Sequence, residues 1–333
     1  VLEIPGEVDL AIIVVNAKFV LSTIDQCHEK GIKGLCIITA GFKETGAEGA
    51  EAEKQLLAKV REYGMRCVGP NCLGVVNTHP DIRMDGCFAE SLPERGNIGF
   101  VSQSGALGGG ILNILKDLNL GFAQFISIGN QADVNAETAL EYWENEADVE
   151  QILLYMESIQ NPANFRKLAS RISKKKPILA LKAGRSAAGA SAASSHTGSL
   201  AGADKAANAL LGQSGVIREY SLKDLFATAK VFANCPIPKG NRVAIITNSG
   251  GPGIMATDAV CEHGMQMAKI SDATKEKLRS FLPSAASVKN PIDMIASAPI
   301  EHYQQTLETV IADENVDMII TIYLPFLGLK DID

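Results

Sequence analysis

The residues best suited to chemistry lie in Ser194-Ser195-His196-Thr197-Gly198-Ser199-Leu200-Ala201-Gly202, which follows a long run of small residues from Gly184 to Ala193. Small neighbours let a ligand and other backbone come close, and glycine permits the tight turns that project a side chain. A neutral imidazole near pH 7 is a nucleophile or a proton carrier. The same surroundings also suit a capping or surface histidine on a loop, so His196 needs partners. Glu157 is the first candidate. It follows the apolar run 152–156, and a carboxylate at the carboxyl end of a buried strand shares its crevice with the following loops. There it either orients or deprotonates His196, or caps the next helix.

Two further stretches pass from an apolar run through a glycine-containing turn into a helical pattern. They are Ser102-Gln103-Ser104-Gly105 and Asn248-Ser249-Gly250-Gly251-Pro252-Gly253. Such turns aim backbone N–H groups and the positive end of a helix dipole at an anion, here a phosphate. Neither has the lysine of a Walker loop or the G-x-G-x-x-G spacing. Serine capping or plain glycine packing accounts for either one taken alone.

These residues need a scaffold, and alternating periodicity supplies one. Short apolar, β-branched runs at 10–15, 34–39, 66–68, 98–101, 125–128, 152–156, 178–182, 242–247 and 318–324 predict parallel strands buried on both faces. Helices are predicted at 19–30, 49–63, 108–118, 136–145, 164–173, 203–211 and 254–263, with Gly31 and Gly64 as stops. The alternation argues for right-handed βαβ units in doubly wound α/β sheets, with ligands at the strands' carboxyl ends. In the first part those ends are Asn16-Ala17-Lys18, Thr39-Ala40-Gly41 and Gly69-Pro70-Asn71. Pro93 within 90–96 and Cys235-Pro236-Ile237-Pro238 read as linkers, giving domains at 1–92, 93–235 and 236–333.

Composition narrows the function classes. The 333 residues are 46% hydrophobic and 21% charged, with a net charge of −7 and both signs interspersed, a soluble globular balance. No basic block or basic amphipathic helix favours nucleic acid, and no apolar run reaches bilayer length. Seven cysteines without a C-x-x-C pair read as reduced thiols of a cytoplasmic protein, neither a disulfide framework nor a zinc site. No metal ligands are evident. The chain enters a buried strand within ten residues and stops just after another, so it is expected to be a piece of a larger polypeptide or a processed chain.

Taken together, Gly69-Pro70-Asn71-Cys72-Leu73-Gly74, Val101-Ser102-Gln103-Ser104-Gly105, Glu157-Ser158, Ser195-His196-Thr197-Gly198-Ser199, Asn248-Ser249-Gly250-Gly251-Pro252-Gly253 and Asn290-Pro291-Ile292-Asp293 resemble the α-part of nucleoside-diphosphate-forming acyl-CoA synthetases, relatives of succinyl-CoA synthetase. The resemblance covers essentially the whole chain. It implies a Rossmann-like CoA-binding domain, N-terminally incomplete, followed by two flavodoxin-like CoA-ligase domains. It also implies the chemistry. Acyl-CoA and phosphate give an acyl phosphate and CoA; His196, steadied by Glu157, takes the phosphoryl group and passes it to ADP or GDP. ATP or ADP and Mg²⁺ belong to a separate ATP-grasp β-part, a subunit or the rest of the chain, and an oligomer is expected. The phosphoryl group needs preorganised donors, which the turns at Ser102–Gly105 and Asn248–Gly253 would supply. CoA falls to the strand ends at Asn16, Ala17, Lys18, Thr39, Ala40, Gly41 and Asn71. Two other readings compete. A CoA-binding regulatory module fused to an acetyltransferase would have lost the histidine, which is present here. A nicotinamide dehydrogenase would need the dinucleotide fingerprint, which is missing.

Overall fold

Leu10–Ile13 (β1), Gly34–Ile37 (β2) and Arg66–Val68 (β3) pair in parallel, in that order, as a small first sheet. The computed structural model describes residues 1–191 and 204–325 and divides into two units, Val1–Cys235 and Pro236–Asp333. Helix Ala17–Lys30 starts two residues earlier than its apolar pattern predicts, because the Asn16 side chain accepts from the Lys18 amide and caps it. It stops at Gly31 in the left-handed conformation, as the sequence predicts. The strand predicted at 10–15 is shorter and is not buried on both faces, with Ile12 42% and Val14 68% exposed. The physical reason is position: among the described residues β1 pairs with β2 alone, at the sheet's margin.

The second sheet of this unit runs in the order β10-β9-β8-β6-β7-β4-β5. Its strands are Gly74–Asn77 (β4), Met84–Cys87 (β5), Arg95–Ser102 (β6), Phe122–Ser127 (β7), Gln151–Met156 (β8), Ile178–Lys182 (β9) and Ile217–Glu219 (β10). Strands β6 to β10 are parallel; β4 is antiparallel to both β5 and β7. The sequence pattern predicts no strands between 69 and 92 and leaves that stretch with the first domain. The structure hands β4 and β5 to the second sheet as an antiparallel edge. Met84-Asp85-Gly86-Cys87 has little β-propensity, and only pairing with β4 makes it a strand.

Helices cover both faces of this sheet. Trp143, Leu140, Phe165 and Leu211, from helices Ala136–Trp143, Pro162–Ile172 and Asp204–Gln213, fill one side. Ile111, Leu115 and Phe226, from helices Gly105–Leu118 and Leu222–Asn234, fill the other. The helix after β6 and the helix after β8 therefore lie on opposite faces of adjacent strands. That is a topological switch point, where the carboxyl ends open into a crevice.

In the second unit Arg242–Thr247 (β11) is the central strand. Met318–Ile322 (β14) flanks one edge, and the two short strands Gln266–Met267 (β12) and Ile292–Asp293 (β13) share the other. Asn290 fills the gap between β12 and β13. Its Oδ1 accepts from the Ile245 amide at 2.9 Å, and its Nδ2 donates to the carbonyls of Val243 (2.7 Å) and Ala268 (3.0 Å). Helices Asp272–Arg279 and Ile300–Ile311 complete the core around Tyr303 and Leu278. No helix among the described residues is long and apolar enough to cross a membrane.

Two stability outcomes follow. Asn290→Ala orphans three backbone groups of the second unit's sheet, and we expect a loss of about 2–4 kcal/mol, read from denaturant melts. In the first unit Glu144 accepts from Arg171 and Lys175, and hydrogen bonds from both hold its carboxyl down, from 4.5 to about 2. A carboxyl lowered by folding stabilises above its unfolded value, and that stability is lost as pH falls through the folded value. The melting-temperature gap between the parent and Glu144→Gln should therefore close as pH is taken from about 4.5 to about 2. A gap independent of pH over that window would exclude the ion pair as its source.

Candidate active site

At the switch point the ends of β6 and β8 are tied together by one side chain. Gln103 Oε1 accepts from the amides of both Glu157 (2.6 Å) and Ser158 (2.9 Å), and its Nε2 donates to the Ser158 carbonyl at 2.7 Å. Gln103 and Glu157 are both 7% exposed, so these bonds lie in a low-dielectric setting where they count for more. The Gln103 amide, predicted to face phosphate, is thus engaged with the Glu157 turn. Glu157 does not cap the next helix: Asn161 does, accepting from the Asn164 amide at 3.1 Å. Ser104 caps helix Gly105–Leu118 through the Leu107 amide, and Ser102 Oγ donates to the Ser104 carbonyl at 2.7 Å. The helix begins at Gly105, three residues earlier than its pattern predicts, which brings its first-turn N–H groups directly to the carboxyl edge. His196 lies outside the described residues.

The carboxyl ends of the first sheet also converge. Thr39 Oγ1 donates to the Val15 carbonyl at 2.7 Å, beside Asn16, and the Asn71 amide donates to the Thr39 carbonyl at 3.0 Å. Asn71, at φ 56°, turns its Nδ2 to Asn130 Oδ1 at 3.2 Å. Ala17 opens the helix that Asn16 caps, and Lys18 places its ammonium 4.8 Å from the Phe19 ring centre. Ala40 is exposed in the loop between Thr39 and Gly41. The Gly41 amide donates to Glu44 Oε1 at 2.6 Å, and the Phe42 amide to the same oxygen at 3.2 Å.

Sequence reasoning missed the residues that join these two edges. Asn130, in the turn after β7, donates to Glu44 Oε2 (2.6 Å) and Glu53 Oε2 (2.7 Å). Lys43 pairs with Glu53 at 3.4 Å and donates to the Asn130 carbonyl. Burial pushes the Glu44 carboxyl up, but hydrogen bonds from Asn130 and the Gly41 and Phe42 amides outweigh it and hold it below the usual range. The neighbouring Gln131 donates to Ser158 Oγ at 3.1 Å. Gly129 makes this turn possible: its φ is +50°, and a Cβ there would run into the carbonyl oxygens of Pro70 and Asn71. A glutamate on a helix reads as a solvated charge, so the only signal available was the glycine after a strand end.

In the second unit helix Gly250–Glu262 starts four residues earlier than its pattern predicts. The Asn248 side chain is used in the fold, donating to the Leu324 carbonyl at 2.8 Å and accepting from its amide at 2.9 Å. Thr247 Oγ1 donates to the Ser249 carbonyl and accepts from its amide, which leaves Gly250 and Gly251 to open the helix. A Cβ on Gly253 would press on Thr247 Cγ2 at 3.1 Å, so that glycine serves helix–strand packing.

Among the described residues no group of three His, Cys, Asp or Glu side chains could hold a metal ion. The cysteines are free thiols, and Cys36 and Cys72 approach to 3.9 Å between sulfurs. The Cys36 thiol beside it, then burial, push the Cys72 thiol far up.

Comparison with known proteins accounts for this arrangement. A CoA binding domain matches residues 1–78, a succinyl-CoA ligase like flavodoxin domain residues 95–232, and a Ligase-CoA domain residues 243–327. Three such domains in this order define a CoA ligase of the succinyl-CoA ligase superfamily. The chain is 48% identical over 320 residues to the acetate–CoA ligase [ADP-forming] II subunit alpha of Pyrococcus furiosus, covering 96% of this chain and 69% of that one. It is 42% identical over 325 residues to acetate–CoA ligase [ADP-forming] I of Archaeoglobus fulgidus, covering 98% of this chain but 47% of the relative. The solved acetyl-coenzyme A synthetase 1 of Ca. Korarchaeum cryptofilum, in complex with phosphate and ADP, superimposes with a TM-score of 0.93 at 35% identity, covering 98% of this chain and 70% of that one. The chain belongs to the ADP-forming acetate–CoA ligase family, as its alpha part.

The Gln103 clamp can be tested directly. Gln103→Ala frees the Glu157 turn, and displacement of a reacting group by about 1 Å costs on the order of 10²-fold in rate. We expect that loss in kcat of the assembled ligase with little change in KM for CoA, and partial rescue by Gln103→Asn. An unaltered kcat would remove the clamp from the mechanism.

Proposed function

We propose that this chain carries the acyl-transfer half of an ADP-forming acyl-CoA ligase, with His196 as the phosphoryl carrier. The observation that supports this best is the buried Glu157 turn, fixed by Gln103 at the switch point beside the N-terminus of helix Gly105–Leu118. CoA occupies the carboxyl edge of the first sheet, near Asn16, Thr39 and Asn71. A phosphate oxygen attacks the thioester carbonyl, the C–S bond breaks, and CoA leaves as the thiol with an acyl phosphate formed. His196 then attacks phosphorus, the P–O bond to the acyl group breaks, and the carboxylate departs, leaving a phosphohistidine.

Glu157 orients the imidazole and balances the positive charge it gains. The first-turn N–H groups after Ser104 hold the phosphoryl oxygens, a role suited to fixed dipoles that need no reorganisation. In the second unit the first-turn N–H groups from Gly250 and Gly251 offer a further anion cradle, without the side-chain cap that Ser104 gives its helix. ADP and Mg²⁺ belong to an ATP-grasp part, to which the phosphohistidine delivers its group. The acid is a small carboxylic acid, with acetate the first to try.

Intact mass at alkaline pH tests this reading, since phosphohistidine is lost in acid. With acetyl-CoA and phosphate the parent should gain one phosphoryl group, His196→Ala none, and Glu157→Gln should gain it about 10²–10⁴-fold more slowly. A parent that binds CoA yet takes no phosphate from any acyl-CoA or acyl phosphate would overturn the phosphohistidine mechanism and favour a regulatory module.

A further inference from the structure

At the carboxyl ends of β9 and β10 positive charge is gathered and only partly matched. Lys182, the last residue of β9, is 5% exposed, and its ammonium donates to the neighbouring Ala183 carbonyl at 2.6 Å. Arg218 on β10 is in register with Ala180, which puts it on the same face of the sheet as Lys182. Its side chain is 6% exposed and pairs with Asp204; Nη1 also reaches the Asp204 carbonyl (3.4 Å) and Asn208 Oδ1 (3.3 Å). The buried Arg218 Nε has no hydrogen-bond partner. Tyr220 collects the guanidinium groups, with Arg218 5.0 Å and the exposed Arg185 5.1 Å from its ring centre.

Among the described residues the surrounding carboxylates are few. Asp204 is engaged by Arg218, Glu157 acts on Lys182 from the end of β8, and Glu219 accepts from Thr228 on the opposite face. Among the described residues, three cations thus gather with two carboxylates. Burial pushes the Lys182 ammonium below the usual lysine range, against the pull of Asp204 and Glu157. A tetrahedral oxyanion has oxygens enough to accept from the unpartnered Arg218 Nε and from the Lys182 ammonium together, which a single carboxylate does less completely.

We propose that Lys182 and Arg218, on one face of the sheet, with Arg185 beside Arg218 on the Tyr220 ring, form a further binding site for a phosphate oxyanion. The assignment stands on this cluster's own geometry and not on the phosphohistidine reading. Three sources carry that chemistry: inorganic phosphate, the phosphates of a nucleoside diphosphate, and those of CoA.

Arginine modification by phenylglyoxal on the full chain, read peptide by peptide by mass spectrometry, reports on the site itself. Arg185 is the reporter and the exposed Arg166 the internal control. Relative to chloride at equal ionic strength, phosphate, ADP or CoA at about ten times its dissociation constant should slow Arg185 modification about tenfold and leave Arg166 unaffected. Whichever of the three protects at the lowest concentration identifies the source. Equal Arg185 rates in chloride, phosphate, ADP and CoA would overturn the proposal. Lys182→Met, checked for folding by circular dichroism, should lose the protection while Arg185 reacts at the parent's chloride rate. Protection as strong as the parent's in that variant would also overturn the assignment. Because the parent experiment stands by itself, failure of the variant to fold leaves the test intact.

Discussion

The buried side-chain amide of Asn130 ties the first sheet's loops and helices to the turn after β7. It donates from one nitrogen to the half-buried Glu44 and the buried Glu53, and Lys43 supplies charge to balance Glu53. Because Gly129 lets the turn lie directly on the Pro70 and Asn71 carbonyls, the carboxyl edge of the first sheet meets that of the second backbone to backbone. From there the hydrogen bonds continue without a break. Gln131 reaches Ser158, and Gln103 holds Ser158 and Glu157. The Gly41 loop, where CoA is proposed to bind, and the carboxylate proposed to steady the histidine are therefore ends of one connected network. Such a network is rigid only while every member is satisfied, and the low internal dielectric makes each omission costly.

The parallel parts of the fold were legible because their signals are local. Apolar runs marked β2, β3, β6 to β9 and β11, and Gly31 marked its helix stop, since each needs only its neighbours to be read. Glycine-rich helix starts were placed late by three or four residues at Gly105 and Gly250, because low helix propensity hides a start that capping and dipole nonetheless favour. The hairpin of β4 and β5 was invisible for the opposite reason: its strands exist through pairing with distant residues.

The site divides in the same way. Glu157, Ser104 and the Asn16–Thr39–Asn71 edge could be proposed from strand ends and turn chemistry. Gln103 was picked out as a phosphate ligand, whereas its amide binds the backbone of Glu157 and Ser158, and a glutamine's direction is set by tertiary contacts alone. Asn130, Glu44, Glu53 and Arg218 carry ordinary surface-type side chains, and nothing in their spacing announces that the fold buries or pairs them. Asn290 stood out only as part of a family motif, yet its work is to stitch β11 to the residues beyond β12.

The hairpin at 74–87 has a consequence for how such a protein can be cut and rejoined. Val75, Val76 and Asn77 lie in register with Ile126, Phe125 and Gln124, so the seam between the CoA-binding and flavodoxin-like domains is a strand exchange, not a linker. A cut near residue 92, where the proline suggests a border, would part β4 and β5 from the seven-stranded sheet and bare the flank of β7, and a chimera joined there must pair β4 of one parent with β7 of the other. Exchange between relatives is tolerated best in the turn before Gly74, where the first sheet has ended and the second has not begun. Inheritance of the first three strands as a cassette therefore leaves the hairpin behind with the neighbouring sheet, and the border that the proline suggests in this chain sits some residues away from the mechanical one.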